Sequence, residues 1–316
     1  MSHRTPYRTV FLAVLCLLLL GGCWNGRLLF TFERPFWSSL GDDPRLKASL
    51  AGEAVRRGYT PSFDVGAGAG DPLKTLVGVV SSRRYAVIVV GPLLSFDWAG
   101  YVPLQPRTRF ILVDAPVPPG NAPANTVFLV FNRTGAFRQA GRAAAELVRA
   151  LLGARGTAVP GAELGPRIAI LRSDDSGLTD VEADAFSSGA AVALDGSAPV
   201  TRRISPPTPT DRTAIRAAID QMQRAGALVF LLGLGEHDGL ALEALHDNGG
   251  TAVVSDWQAS GAFPDQVLAS VEEDVPGGIT RALEALRAGT TRVDGPVKLV
   301  IGKRFDKGDD GKYNFR

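Results

Sequence analysis

The sequence predicts an α/β fold of two Rossmann-like lobes, each a parallel sheet flanked by helices. Three observations carry this. Short runs such as Tyr85–Val90 (YAVIVV), Phe110–Val113 and Ala227–Leu232 (ALVFLL) are apolar throughout, the pattern of strands buried on both faces. Segments of helical period separate most of these runs, so strand and helix alternate along the chain. The 316 residues, 45% of them hydrophobic, suffice for two lobes with separate cores.

Residues 1–22 read as a targeting segment. Arg4 and Arg8 precede Val10–Leu20, an apolar run short for a bilayer span. It ends in Leu20-Gly21-Gly22-Cys23, which looks like a bacterial lipobox. Cys23 is then the lipidation site, its thiol taking a diacylglyceryl group and its new amino terminus a further acyl chain of the palmitate type, enough for stable anchoring. Residues 23–26 form a lipidated tether. Cys16 lies in the removed segment, so no disulfide is expected.

Arg27–Phe32 (RLLFTF) is the first strand, and Glu33-Arg34-Pro35-Phe36-Trp37 is a proline-bearing loop. Leu46, Leu50, Ala54 and Val55 mark a helix stopped by Gly58. Ser62–Val65 is a weak strand. Gly66–Gly70 is a turn without the strand and acid of a dinucleotide fingerprint. Asp71 caps a helix whose first turn holds Pro72. Tyr85–Val90 and Phe110–Val113 are buried strands, the second ending on Asp114. A Pro/Gly/Asn-rich loop runs from Ala115 to Asn125, and Thr126–Phe131 is the next strand. After Asn132-Arg133-Thr134, Phe137, Ala140, Gly141, Ala144, Leu147, Val148 and Leu151 recur at helical spacing.

In the second half, strands are expected at Arg167–Leu171, Val200–Ile204, Ala227–Leu232, Thr251–Val254, Val267–Glu272 and Val297–Ile301. Helices are expected at Thr179–Leu194, Asp211–Arg224, His237–Asn248 and Pro276–Leu286. The tail Gly302–Arg316 is polar and reads as partly ordered at best.

The order strand, Asp-Ala-Pro-Val (Asp114–Val117), Asn-bearing loop, strand ending in Phe131, then Gly135-Ala-Phe-Arg-Gln-Ala-Gly141 resembles the substrate-binding lipoproteins of the basic-membrane-protein family. The resemblance implies the type I periplasmic-binding fold, with a three-segment hinge between lobes. It puts 27–131 plus 266–289 in the N-terminal lobe and 132–265 plus 290–316 in the C-terminal lobe. It also implies a solute-binding component of an ABC-type importer that closes two lobes on a nucleoside first, a sugar second. Partners would be that small molecule, an ABC permease and, through the anchor, a membrane in the bacterial cell envelope; a monomer is expected. The alternative is a ligand sensor or interaction lipoprotein of the same fold.

In open α/β sheets ligands bind beyond the carboxyl ends of strands. Asp256, beside Trp257, resembles the acid that accepts ribose hydroxyls in relatives of this kind, and an ionised carboxylate makes strong, directional acceptor bonds. Phe36 and Trp37 follow the first strand, where the family stacks an aromatic on a base. Asn132 and Arg133 at the first crossover offer a donor–acceptor pair and a planar fork. Ser95 and Asp174 follow strands, where such residues are more often helix caps than contacts; Asp114 ends a strand and can equally cap the following loop; and Gly233 would admit close backbone approach. Two departures from the nucleoside-binding pattern stand out. Glu33 is the only acid after the first strand, and Glu272-Glu273 stands where those members carry Lys.

Removing residues 1–22 takes Arg4, Arg8 and no acid, so 34 bases become 32 against 32 acids. Nucleic-acid binding would call for a basic excess. His237 and His246 lie nine apart and offer no metal-ligand spacing. No nucleophile elbow or P-loop is present, so neither an enzyme nor a cofactor is expected.

Overall fold

The computed structural model describes residues 26–40, 44–66, 72–82, 84–115, 122–154, 167–173, 178–193, 199–204, 211–255, 263–307 and 313–315. Cys23, Asp174, Asp256 and Trp257 lie outside them.

The chain builds β1 (Arg27–Phe32), α1 (Arg34–Ser39), α2 (Pro44–Arg56), β2 (Thr60–Val65), α3 (Pro72–Ser81), β3 (Tyr85–Val90), α4 (Pro92–Trp98), β4 (Arg109–Val113) and β5 (Thr126–Val130). It continues with α5 (Thr134–Ala154), β6 (Ile168–Ser173), α6 (Asp180–Ala193), β7 (Val200–Ile204), α7 (Arg212–Arg224), β8 (Val229–Gly233), α8 (Asp238–Asn248), β9 (Thr251–Ser255) and β10 (Val267–Glu273). It ends with α9 (Val275–Ala288), β11 (Arg292–Asp294), β12 (Val297–Ile301), β13 (Phe305–Lys307) and β14 (Tyr313–Phe315).

Two six-stranded sheets result, in the orders β11-β5-β4-β3-β1-β2 and β12-β10-β9-β8-β6-β7. Both carry the same doubly wound order. The first strand of each set (β1, β6) lies between the second and third, and the fourth and fifth extend outward. Neighbouring strands among β1–β4 and β6–β10 pair parallel, as do β4 and β5, while β12 runs antiparallel to β10. The order reverses between β1 and β3 and between β6 and β8. Those switch points are where such sheets open a crevice at the carboxyl rim.

Side-chain alternation splits each sheet between two helix layers. Ile168 and Ile170 pack toward α5 and α6, whereas Ala169 and Leu171 pack toward α7 and α8. In the first sheet Leu29, Ile88, Val90, Phe110 and Leu112 meet Leu76, Leu94 and Trp98 of α3 and α4. Helices α5 and α6 approach through glycine. A Cβ on Gly141 would overlap the carbonyl of Phe186, and one on Gly189 that of Arg138. Helix starts follow local chemistry. Asp211 accepts from Thr213 N (2.8 Å) and Ala214 N (3.3 Å), and Thr179 with Glu182 forms a capping box.

Contacts divide the described residues into two units, one within 1–34, 43–130 and 276–293, the other within 35–42, 131–275 and 294–316. Three sequence expectations change. Strand β10, expected in the first lobe, is the fifth parallel strand of the second sheet, between β9 and β12. Its residues 267–271 are buried, so it needs a neighbour on each edge and a helix layer on each face; periodicity cannot say which sheet supplies them. The loop at 34–37 is a short helix, because proline is tolerated in a first turn. In the tail, β13 and β14 pair antiparallel, and Phe305 joins the α5–α6 core.

Candidate functional site

The carboxyl rim of the first sheet starts at Glu33. Its Oε1 accepts from Leu94 N at 2.6 Å, at the start of α4. The carboxylate lies so close to Gly91 that a Cβ there would overlap it. The single acid after the first strand is thus buried against a helix start, where negative charge is favoured. Ser95 is fully buried and donates to Val90 O at 2.9 Å, which makes it a brace between α4 and β3. Asp114 ends β4 with φ +47°, a left-handed turn that Asp tolerates better than most residues, and its N–H donates to Leu129 O at 2.8 Å.

The rim of the second sheet is charged. Arg133 precedes α5 and forks onto Glu182 of α6, with Nε–Oε1 at 2.6 Å and Nη2–Oε2 at 3.2 Å. Its Nη1 reaches Ser255 Oγ at 3.4 Å and Glu273 Oε1 at 3.5 Å, at the ends of β9 and β10. The three charged side chains are only 13%, 8% and 3% exposed. Glu182 Oε2 also accepts from Thr179 N (2.8 Å) and Thr179 Oγ1 (2.9 Å). One buried guanidinium therefore ties together the starts of two helices and the ends of two strands. Beside it Arg172, at the end of β6, donates to Asp180 Oδ1 (2.7 Å) and Leu178 O (2.8 Å). Buried charges need partners to be tolerated, and Arg133 and Glu182 each have several.

The predicted residues fare differently. Arg133 and Asn132 stand at the rim, but the fork of Arg133 is engaged by protein carboxylates. Asn132 is exposed, and its Oδ1 accepts from Thr134 N at 3.2 Å, so it helps start α5. Gly233 does not wait for a ligand: Leu178 Cδ2 would stand 2.6 Å from a Cβ there. Trp37 is buried and Phe36 half-buried. Glu182 and Glu273 were not among the predicted site residues. Thr179-x-x-Glu182 spells a capping box, which marks a helix start, and nothing local links it to Arg133 or to a strand more than 80 residues on. Glu272, the other departure, is matched across the strands by Lys298 at 3.2 Å. Among the described residues no His/Cys/Asp/Glu group could hold a metal, and no helix is long and apolar enough to cross a membrane.

No protein-family model and no curated protein sequence matches the chain. Solved structures do. An ABC transporter system solute-binding protein from Aeropyrum pernix K1 aligns with TM-score 0.69 at 15% identity, over 86% of this chain and 76% of that one. A transcriptional activator of the comK gene from Bacillus halodurans aligns with TM-score 0.64 at 16% identity, over 88% of this chain and 90% of that one. A Caulobacter myo-inositol binding protein bound to myo-inositol aligns with TM-score 0.57 at 16% identity, over 87% and 93%. These proteins are named as solute-binding proteins and a transcription regulator, not as enzymes. The chain shares their fold: two α/β sheets of mostly parallel strands flanked by helices, as in type I periplasmic binding proteins.

Proposed function

We propose that the protein is a lipid-anchored solute-binding component of an ABC-type importer, taking a small neutral ring compound, nucleoside first and sugar second, at the carboxyl rims of its sheets. The observation that carries this is the second rim. Its one crossover guanidinium is bonded to Glu182 and lies beside Glu273, so it has little left for a ligand carboxylate or phosphate. Neutral polyhydroxylated rings need no cationic partner, since their O–H groups donate to a carboxylate such as the one Asp256 would supply. The fold shared with proteins named for solute binding supports the same reading, and one of them holds the polyol myo-inositol. Within this proposal Asp256 accepts ligand hydroxyls, and Trp257, Phe36, Asn132, Asp114 and Asp174 complete the binding set. Cys23 carries the anchor.

The test is a thermal-shift screen of the chain from Trp24 onward against nucleosides, sugars, polyols and amino acids, followed by calorimetry. A saturable neutral ligand whose binding Asp256→Ala abolishes is the expected result. Tight binding of a phosphorylated or dicarboxylate compound would overturn the ligand class. The departures at Glu33 and Glu272-Glu273 motivate a second reading, a sensor of the same fold without transport. It predicts ligand binding with no growth defect on that ligand when the gene is removed.

A further inference from the structure

We propose that the amino-terminal rim of the first sheet is a docking surface for an anionic phospholipid bilayer. The inference rests in part on Cys23 carrying a lipid. Arg27 opens β1 and Arg109 opens β4; Arg84 immediately precedes β3, and Arg107 lies two residues before β4. Strands β4, β3 and β1 are parallel neighbours, so the four arginines share one edge, about 10 Å wide across the strands. All four are exposed, and no ion pair with another described residue engages them. Among the described residues of the same unit, Glu53 pairs with Arg56 and Arg57, and Glu284 with Arg57.

An apolar element stands on the same edge. The connection from α4 to β4 carries Tyr101, 43% exposed, and Leu104, 70% exposed. This connection is held in shape. Asn125 Nδ2 lies 3.3, 3.0 and 2.9 Å from the carbonyls of Val102, Gln105 and Thr108, and Val102 is fully buried beneath it. Leu104 is therefore presented from a fixed loop next to Arg107 and Arg109. An aromatic and a leucine flanked by guanidiniums suit the boundary between lipid headgroups and acyl chains.

Chain length selects the occupant. Between Cys23 and Arg27 stand Trp24, Asn25 and Gly26, a reach of about 14 Å when fully extended. A lipid on Cys23 would hold this rim against the bilayer, within the range where exposed arginines feel the surface charge.

The test separates rim from anchor. The mature chain carrying Cys23→Ser, which takes no acyl group, is mixed with vesicles of phosphatidylcholine alone or with phosphatidylglycerol. Each basic group near an anionic surface multiplies partitioning by about fivefold. Anionic vesicles should therefore bind at least about tenfold tighter than neutral ones, with the preference lost at high salt. Arg107→Glu combined with Arg109→Glu should lower that binding about twentyfold or more. Arg84→Glu, which lies outside the strands, should lower it without touching the sheet, and unchanged melting curves check that both variants fold. Leu104→Asp should weaken binding to the anionic vesicles. Equal partition onto the two vesicle types, or binding unmoved by charge reversal, would overturn the proposal and leave the rim to a protein partner. The mass of the native amino terminus reports on the anchor separately: an unmodified Cys23 would remove the anchor while the vesicle assay still decides the rim.

Discussion

Single side chains set what the second rim can do. Arg133 is ringed by Glu182, Glu273 and Ser255, and removing it takes a buried positive charge away from two poorly hydrated carboxylates. Arg133→Ala should cost about 3 kcal/mol in urea unfolding. The exposed pair Arg216–Asp247 provides the contrast, 46% and 43% exposed, and Arg216→Ala should cost less than about 1 kcal/mol. If the two losses were equal, the rim network would be no stronger than surface pairing. Gly141 is constrained by backbone rather than charge. Gly141→Val drives a side chain into the carbonyl of Phe186 and should cost about 3 kcal/mol.

At the scale of elements, the link between α5 and α6 has a polar end and an apolar body. The polar end is the Thr179–Glu182 capping box, whose acid also holds Arg133. Thr179→Ala should cost about 1 kcal/mol alone. Combined with Arg133→Ala it should cost less than the sum, because both act through Glu182; additive losses would show that the cap and the ion pair are independent. The body is the glycine crossing at Gly141 and Gly189, extended by the buried alanines Ala140, Ala144, Ala145 and Ala190. The hairpin β13–β14 adds to this layer through Phe305, and Phe305→Ala should cost about 3 kcal/mol.

Taken whole, the molecule repeats one doubly wound strand order twice, with the order reversing between β1 and β3 and between β6 and β8. Function is then a matter of the rims. A ligand at a hundred times its dissociation constant adds about 2.7 kcal/mol of stability, which for a chain of this size raises the melting temperature by about 5 °C. A neutral nucleoside or sugar should produce that shift, and Asp256→Ala should remove it without lowering the melting temperature of the ligand-free protein. No shift across neutral rings would move the weight to a role without a soluble ligand. The proposed ligand chemistry belongs to the carboxyl rims, whereas the amino-terminal rim of the first sheet carries exposed arginines, without an ion pair to another described residue, beside an exposed leucine. That is why membrane docking and solute binding can be tested independently.

The sequence by itself determined the alternation of strands and helices and the buried strands such as YAVIVV. These are local: a parallel strand covered on both faces must be apolar throughout, and a helix layer must recur every three or four residues. It also pointed to Arg133 as a rim residue, because a crossover that leaves a strand end must pass the rim. Only the tertiary structure decided which sheet takes β10, and that Leu178 fills the space beside Gly233. It also decided that the fork of Arg133 is closed by Glu182 and approached by Glu273, residues 49 and 140 positions away in sequence. Strand pairing and charge pairing across such separations depend on which surfaces meet after folding, and residue spacing carries no record of that choice.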